Sequence, residues 1–251
     1  MEEERLTAAR LSELAETCYA RGIYTESEFL GLGEQDVLHR MARELSYVPY
    51  TLFGGTEGCE RVLVRFGNEE MLGYPPPPYP IATLAVTPRA PKFAEPLTHR
   101  DLLGALMSLG IRRECLGDIL IEDGRATIFV LEKLSAFVCE GLSRVRHTEV
   151  QVHPAEPPPL ACVRTEEISV QVASLRLDAI LAAVHRLSRA DSSALFAERR
   201  VFVDGRLIID GSTVAPLGSM LTVRGLGRVR LFAVTGSSRK GRTHLTVQRF
   251  L

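Results

Sequence analysis

Two proline-rich stretches divide the chain and most constrain its fold. The first, Tyr74–Pro80, has the sequence YPPPPYP, and the second, His153–Pro159, has the sequence HPAEPPP. Proline fixes φ and lacks a backbone N–H, so such runs are stiff and extended and interrupt helices and central strands. A chain of 251 residues has room for several small domains. We therefore predict three domains, at residues 1–74, 75–160 and 168–251.

The first segment carries mainly helical patterns. Leu11 and Ala15 recur at helical spacing with charged residues between them. A second helix is expected to begin near Glu26 or Glu34 and to end before the next proline. Arg61–Phe66, which follows a Gly-Gly turn, is typical of a strand. We therefore predict a mainly helical N-terminal domain.

The middle segment alternates strand and helix patterns. A helix capped by Thr98 and a hairpin turn at Glu122–Gly124 are its clearest features. Strands are expected at Ile81–Thr87, Ile119–Ile121, Ala126–Val130 and Val145–Val152, with a second helix at Glu132–Glu140. The resulting order β-α-β-β-α-β predicts a ferredoxin-like central domain.

The last segment predicts two short helices on a small curved antiparallel sheet. Ser174 is expected to cap the first helix, and Ser188 with Asp191 has the form of a capping box for the second. Val201–Ile208 predicts a hairpin with an Asp-Gly turn, and Met220–Arg224 predicts a further strand. The whole chain is therefore expected to belong to the α+β class.

Charge is unevenly distributed along the chain. The formal net charge is −1, but residues 170–251 carry 13 Arg and Lys against 5 Asp and Glu, a net of +8. The rest of the chain carries a net of −9, and from Gly211 onward there are seven basic residues and no acidic one. We expect a polyanion to bind through the C-terminal segment.

Residues 173–224 resemble the S-four-type RNA-binding domain, which is named after a small-subunit ribosomal protein. The resemblance rests on Leu175–Asp178, Leu187–Arg189, Arg200–Gly205 and Gly218. Three positions depart from the family pattern. Asp191 stands where Lys or Gln is common, Arg199 replaces the usual Gly before the hairpin, and Ser219 replaces the usual Asp.

The resemblance extends to the bacterial YlmH family over nearly the whole chain. It rests on the long motif Leu97–Leu120, on the tail from Arg224 to Arg242 and on the region of Phe53–Gly55. This resemblance implies a helical N-terminal domain, an RRM-like central domain and a C-terminal S-four-type domain. It also implies a cytoplasmic, non-enzymatic RNA binder that associates, in quality control of stalled translation, with large ribosomal subunits still holding peptidyl-tRNA.

The candidate RNA-binding residues lie in the basic C-terminal segment. Arginine neutralises phosphates, and its planar fork suits both phosphate and base-edge contacts. The predicted set is Arg176, Ser188, Arg189, Arg199, Arg200, Arg224, Arg228, Arg230, Arg239, Lys240 and Arg242. Arg224, Arg228 and Arg230 are expected to alternate along one strand and to face one side.

A second RNA contact is a hypothesis for the central segment. The helix start Thr98–Asp101 could hold a phosphate through backbone N–H groups, with basic residues nearby. The residues of this hypothesis are His99, Arg100, Arg112 and Arg113. The middle strands offer mainly Phe129 for base stacking, which argues against the usual RRM mode of binding.

Other classes of protein are less well supported by the sequence. A run of about 18 apolar residues is absent, the start lacks the pattern of a secretory signal, and five scattered cysteines fit neither a zinc site nor a disulfide framework. We expect a cytoplasmic monomer that needs no metal or cofactor, is not an enzyme, and binds no membrane or small-molecule substrate. Two alternatives stay open: an RNA-modifying enzyme like the pseudouridine synthases, suggested by Arg176-Leu177-Asp178, and a cell-division adaptor with an acidic front half.

Overall fold

The computed structural model describes residues 2–158, 165–237 and 242–250. The described residues combine helices with several antiparallel sheets, as the sequence predicts. They form two compact units, residues 1–162 and 163–251. The first proline-rich stretch separates two sheets of one unit, and the second precedes the boundary between the units. Within the described residues, no helix is both long enough and apolar enough to cross a membrane.

The N-terminal part of the first unit pairs helices with a small sheet. Its elements are α1 (Glu2–Arg21), β1 (Thr25–Glu26), α2 (Leu32–Arg40), β2 (Tyr50–Phe53), β3 (Leu63–Phe66) and α3 (Glu69–Leu72). The strands form an antiparallel sheet of order β1-β3-β2. Leu11, Ala15 and Cys18 of α1 are buried on one face, which explains the helical spacing. The region is thus less helical than predicted, because β1 interrupts the expected helical stretch.

The central part of the first unit follows the predicted order of elements, with one additional strand. Its elements are β4 (Ile81–Pro88), α4 (His99–Ser108), β5 (Leu116–Glu122), β6 (Arg125–Leu131), α5 (Ser135–Gly141), β7 (Arg144–Val145) and β8 (Thr148–Pro154). The sheet order is β5-β6-β4-β8-β7. The last predicted strand is a hairpin of β7 and β8, because Arg146 between them adopts a left-handed φ of 53°.

Local signals set the boundaries of this part. Thr98 caps α4 by accepting a hydrogen bond from the Asp101 N–H at 3.2 Å. Asp123 and Gly124 both have positive φ, as a tight two-residue hairpin requires. The sheet packs one face against α4 and α5, where Ile128, Leu102 and Val138 are fully buried.

The second unit contains a six-stranded antiparallel sheet and two helices. Its elements are β9 (Thr165–Val172), α6 (Leu177–His185), α7 (Arg189–Ala197), β10 (Val201–Val203), β11 (Arg206–Leu207), β12 (Met220–Val223), β13 (Gly227–Ser237) and β14 (Thr243–Phe250). The sheet order is β11-β10-β12-β13-β14-β9. Ile180, Leu181 and Val184 of α6 share one core with Leu221 and Val229 of the sheet.

Two local predictions in this unit are wrong. Arg176, not Ser174, is the N-cap of α6, and its backbone is extended there. Arg224 does not lie on a strand. It lies in the turn between β12 and β13. This turn follows Val223, the last residue of β12, which pairs with Gly227, the first residue of β13. The Asp204-Gly205 hairpin turn, in contrast, is confirmed by positive φ at both residues.

Candidate nucleic-acid interface

Each of the two helices of the second unit is followed by an arginine in the left-handed conformation. After α7, Arg199 adopts a φ of 57°, its N–H donates to the Phe196 carbonyl at 3.0 Å, and the Arg200 N–H donates to the Leu195 carbonyl at 3.0 Å. This is a Schellman motif with arginine at the left-handed position. After α6, Arg186 adopts a φ of 54°, and the Leu187 N–H donates to the Ala182 carbonyl at 2.9 Å.

Arginine is a costly residue at such a position. The left-handed conformation costs about 1–2 kcal/mol for a residue with a Cβ atom, and glycine is the usual occupant. A cation near a helix C-terminus recovers about 0.3–1 kcal/mol from the helix dipole, which offsets only part of that cost. Arg186 and Arg199 are both exposed. Such strain points to a function for these two charges.

The start of α7 brings a third charge into this group. Ser188 accepts a hydrogen bond from the Asp191 N–H at 3.1 Å, and its hydroxyl donates to Asp191 Oδ2 at 2.7 Å, so it caps the helix as predicted. Arg189 is exposed at the first position of α7. Arg186, Arg189 and Arg199 form no ion pair within the described residues. We call them the helix-end arginines.

Other predicted residues are held by partners inside the unit. Arg176 forms an ion pair with Asp178 at 2.6 Å, and this hydrogen bond is the main reason why the pKa of Asp178 is lowered. Arg200 donates from Nε and Nη2 to the Arg224 carbonyl at 3.0 and 2.6 Å, and from Nη1 to Glu198 at 3.1 Å. Arg200 therefore fixes the turn that carries Arg224.

The remaining predicted arginines lie beside aromatic rings or near the hairpin tip. The Arg224 guanidinium lies 4.9 Å from the centre of the Phe202 ring, and those of Arg228 and Arg230 lie 5.3 and 5.9 Å from that of Phe250. Arg242 is exposed and directly precedes β14. The predicted residues Arg239 and Lys240 lie outside the described residues.

The four central candidates differ in what they can offer to RNA. Arg100 is exposed and has no ion pair within the described part of the chain. Arg112 is also exposed but pairs with Glu28 at 3.0 Å and Glu114 at 2.8 Å. Loss of solvent around part of the His99 ring, followed by the charge of Arg113, lowers the pKa of His99, which favours the neutral ring.

Arg113 has a structural environment. Its Nη1 donates to the Leu116 carbonyl at 2.8 Å and to the Gly117 carbonyl at 3.3 Å. Burial, followed by the neighbouring charge of Arg61, lowers the pKa of Arg113 to about 10. Its guanidinium is still charged at pH 7, but it is directed at the protein backbone.

The second face of the central sheet is covered by the N-terminal part of the unit. Phe129 on β6 is 1% exposed. Gly55, with a φ of 108°, lies so close that any side chain there would clash with the Phe129 ring. A side chain at Gly117 would likewise meet Phe29 and Phe129. Bases therefore cannot stack on Phe129 in this structure, a reason separate from the shortage of aromatic residues on which the expectation from sequence rests.

Hydrogen bonds between side chains and the backbone hold this cover in place. The Asp118 carboxylate accepts from the Glu60 N–H at 2.7 Å and from the Arg61 N–H at 3.0 Å. Arg61 in turn donates to the Leu116 carbonyl at 2.8 Å and to the Phe29 carbonyl at 2.9 Å. No group of three His, Cys, Asp or Glu side chains is placed to hold a metal within the described residues.

Exposed arginines without acidic partners are typical of proteins that bind nucleic acids. Comparison with known proteins agrees with this class. Residues 79–157 match the family model described as "Putative RNA-binding domain in YlmH". The resemblance to the YlmH family is therefore confirmed for the central segment, whereas the S-four-type assignment of the C-terminal segment stays a prediction.

One curated relative and one solved structure extend the comparison. Over 162 residues the chain is 33% identical to the ribosome-associated protein quality control protein P2 of Bacillus subtilis, to which it is homologous. That alignment covers 64% of this chain and 63% of the relative. The fold is similar to that of the cell division protein ylmH from Streptococcus pneumoniae, with a TM-score of 0.50 and 22% identity over 62% of this chain and 92% of that one.

Proposed function

We propose that this protein binds RNA on the ribosome and acts in the quality control of stalled translation. Its target is the large ribosomal subunit that carries peptidyl-tRNA, in the cytoplasm of a bacterium, and it acts as a monomer by occupancy, without catalysis. The observation that carries this proposal is the pair of exposed arginines held in strained backbone at the ends of α6 and α7. The printed name of the Bacillus relative supports the ribosomal setting.

The proposed architecture follows from the same features. The β-α-β-β-α-β order and the matched family model support an RRM-like central domain. Two short helices on an antiparallel sheet, with a hairpin after the second helix, support an S-four-type C-terminal domain. We assign phosphate binding chiefly to the helix-end arginines, because Arg176 and Arg200 already have partners within the unit.

Discrimination of the stalled subunit requires a second contact. Phosphate contacts position a protein on RNA but carry little sequence information. Two weak contacts on one chain raise affinity only where both target sites are present. Arg100 is the central candidate best placed for this role, because it is exposed and unpaired among the described residues, whereas Arg113 is directed at carbonyls.

Pelleting with purified large subunits tests the proposal. The parent protein should bind subunits carrying peptidyl-tRNA more tightly than empty ones. A variant with Arg186, Arg189 and Arg199 changed to Glu should lose binding to both. The matched control changes the exposed residues Arg5, Arg21 and Arg43 of the N-terminal region to Glu, which alters net charge equally and should leave binding intact.

The outcomes separate general charge effects from a specific surface. Equal loss in the two triple variants would mean that net charge alone drives binding. Equal binding of the parent protein to both kinds of subunit would overturn the proposed preference. Arg100→Glu should reduce the preference for peptidyl-tRNA while leaving affinity for empty subunits unchanged.

A further inference from the structure

The sheet of the second unit has a second face that carries rings and cations. Val201, Leu221 and Val229 belong to the core beneath the helices. Their strand neighbours therefore face the other way, because side chains alternate across a sheet. Register places Phe202, Thr222 and Arg228 side by side on that opposite face, and Met220, Arg230 and Gln248 in the next row.

Two phenylalanines make this face suitable for more than phosphate. Phe250 is half-buried, with the Arg228 guanidinium 5.3 Å and the Arg230 guanidinium 5.9 Å from its ring centre. Phe232 is 51% exposed and neighbours Leu231, which is buried in the core. It sits at an irregularity where pairing jumps from Leu231–Val247 to Ala233–Thr246. Such bulges re-aim a side chain and recur near functional sites.

We propose that this Phe–Arg face, defined by Phe232, Phe250, Arg224, Arg228 and Arg230, is a stacking platform for unpaired RNA nucleotides. This inference rests on the proposed RNA-binding function and adds the class of RNA and a surface separate from the helix-end arginines. Aromatic rings interleaved with arginines are how proteins bind unpaired bases and their phosphates together. Paired bases are stacked within a helix and cannot reach the rings.

Charge complementarity selects RNA as the occupant of this face. From Gly211 to Leu251 the sequence has seven basic residues and no acidic one. The strands β12, β13 and β14 that form most of the face lie entirely within this stretch. A strand rises about 3.3 Å per residue. Thr246, the register position nearest Phe232, lies four residues from Phe250, so the two rings are separated by about 13 Å along the sheet and would stack on different bases.

A tryptophan probe tests the proposal directly. The chain contains no tryptophan, so Phe232→Trp introduces a single indole on the proposed face. A uridine dodecamer should quench its fluorescence in the full-length protein, whereas a blunt RNA duplex should not. Val234→Trp is the matched control, because Val234 is 42% exposed but pairs with the core residue Leu245. Its emission should not change with either RNA.

Affinity gives an independent measurement. Phe232→Ala with Phe250→Ala should weaken binding of the dodecamer roughly thirty-fold or more, while affinity for the duplex is unchanged. The single variant Phe232→Ala alters only an exposed ring and should show part of this loss with no change in circular dichroism. The loss should persist at high salt, because stacking releases no counterions.

The possible results distinguish this proposal from the proposed function. If the parent protein binds RNA but neither quenching nor loss of affinity occurs, the stacking platform is wrong and RNA binding stands. If losses are equal for dodecamer and duplex, the rings act through the fold and the platform is again wrong. If the parent protein binds neither RNA, both proposals fail.

Discussion

Replacing the left-handed arginines by glycine should separate stability from RNA binding. In the double variant Arg186→Gly, Arg199→Gly, two positive charges are lost, and the backbone at φ of 54° and 57° no longer carries a Cβ atom. In the double variant Arg186→Ala, Arg199→Ala, the same charges are lost but the Cβ atoms remain. The difference between the two variants therefore reports the relief of backbone strain less the cost of the greater freedom of glycine in the unfolded chain.

The expected magnitudes follow from the helix ends. Relief of left-handed strain makes the folded state with glycine more stable than that with alanine by about 1–2 kcal/mol per position. The greater freedom of glycine in the unfolded chain offsets about 0.5–1 kcal/mol of this gain. The folded unit should thus be more stable with glycine than with alanine by about 0.75 kcal/mol at each site. The parent protein should lie between the two, because its arginines interact with the helix dipoles by about 0.3–1 kcal/mol.

Thermal unfolding and RNA titration measure the two effects. For a domain of this size, about 1 kcal/mol corresponds to roughly 4–8 °C, so the melting temperatures of the glycine and alanine variants should differ by about 6–12 °C. A Phe232→Trp background reports unfolding of the second unit within the full chain. Loss of two phosphate contacts should reduce the slope of log affinity against log salt by about 1.4–1.8 in both variants.

Either of two results would refute this reasoning. Equal melting temperatures for the glycine and alanine variants would mean that the arginines are not strained. Unchanged affinity and salt dependence in both variants would mean that the strain is not maintained for RNA binding.

Three further predictions concern stability. Gly55→Ala should destabilise the first unit by about 2–4 kcal/mol, because the new Cβ would collide with Phe129 and the backbone has a positive φ. The control is Gly73→Ala, at a φ of 79° with no atom within 4 Å, which should lose only the smaller part of the stability that comes from backbone strain. Urea unfolding would compare the two variants. Asp118→Asn should lower the unfolding free energy by about 1–3 kcal/mol, because an amide NH₂ would face the N–H of Glu60 or Arg61, and an unchanged urea midpoint would contradict the role given to this carboxylate. Burial, followed by the charge of Arg249, lowers the pKa of His185, so the unfolded chain binds a proton more readily than the folded protein. Stability should therefore fall as pH drops below about 6.5. His185→Gln should remove that part of the pH dependence, as measured by urea midpoints from about pH 7.5 to 5.5.

Local signals in the sequence predict much of the second unit. The Ser188 cap and the Asp204-Gly205 turn depend on residues within a few positions of one another, so their patterns identify them. The end of α6 carries a weaker signal. Leu187 comes just after the apolar spacing of α6 stops. A hydrophobic residue often follows the left-handed residue at the end of a helix, so Leu187 could have indicated Arg186 as that residue.

Contacts between distant parts of the chain escape such patterns. Gly55 lies against Phe129, and Asp118 accepts hydrogen bonds from Glu60 and Arg61. These partners are more than 50 residues apart in the sequence, and helix or strand periodicity relates only residues within one element. The two-residue strand β1 is likewise too short to show alternation, so the sequence pattern predicts more helix in the N-terminal region than the structure contains. The exposed Phe232 depends on a bulge, which the strand pattern alone does not reveal.

The cover over the central sheet has a consequence for how this protein can be divided. The matched segment begins at residue 79, yet Phe29 and Leu63 belong to the same apolar core as β5 and β6. Cutting the chain there would lay bare a contiguous apolar surface of the kind that leads to aggregation. An excised segment could then stick to RNA or to other proteins through a surface that the intact chain never presents. The N-terminal and central parts should therefore be expressed and engineered together, because the segment that the family model matches is smaller than the compact unit to which it belongs.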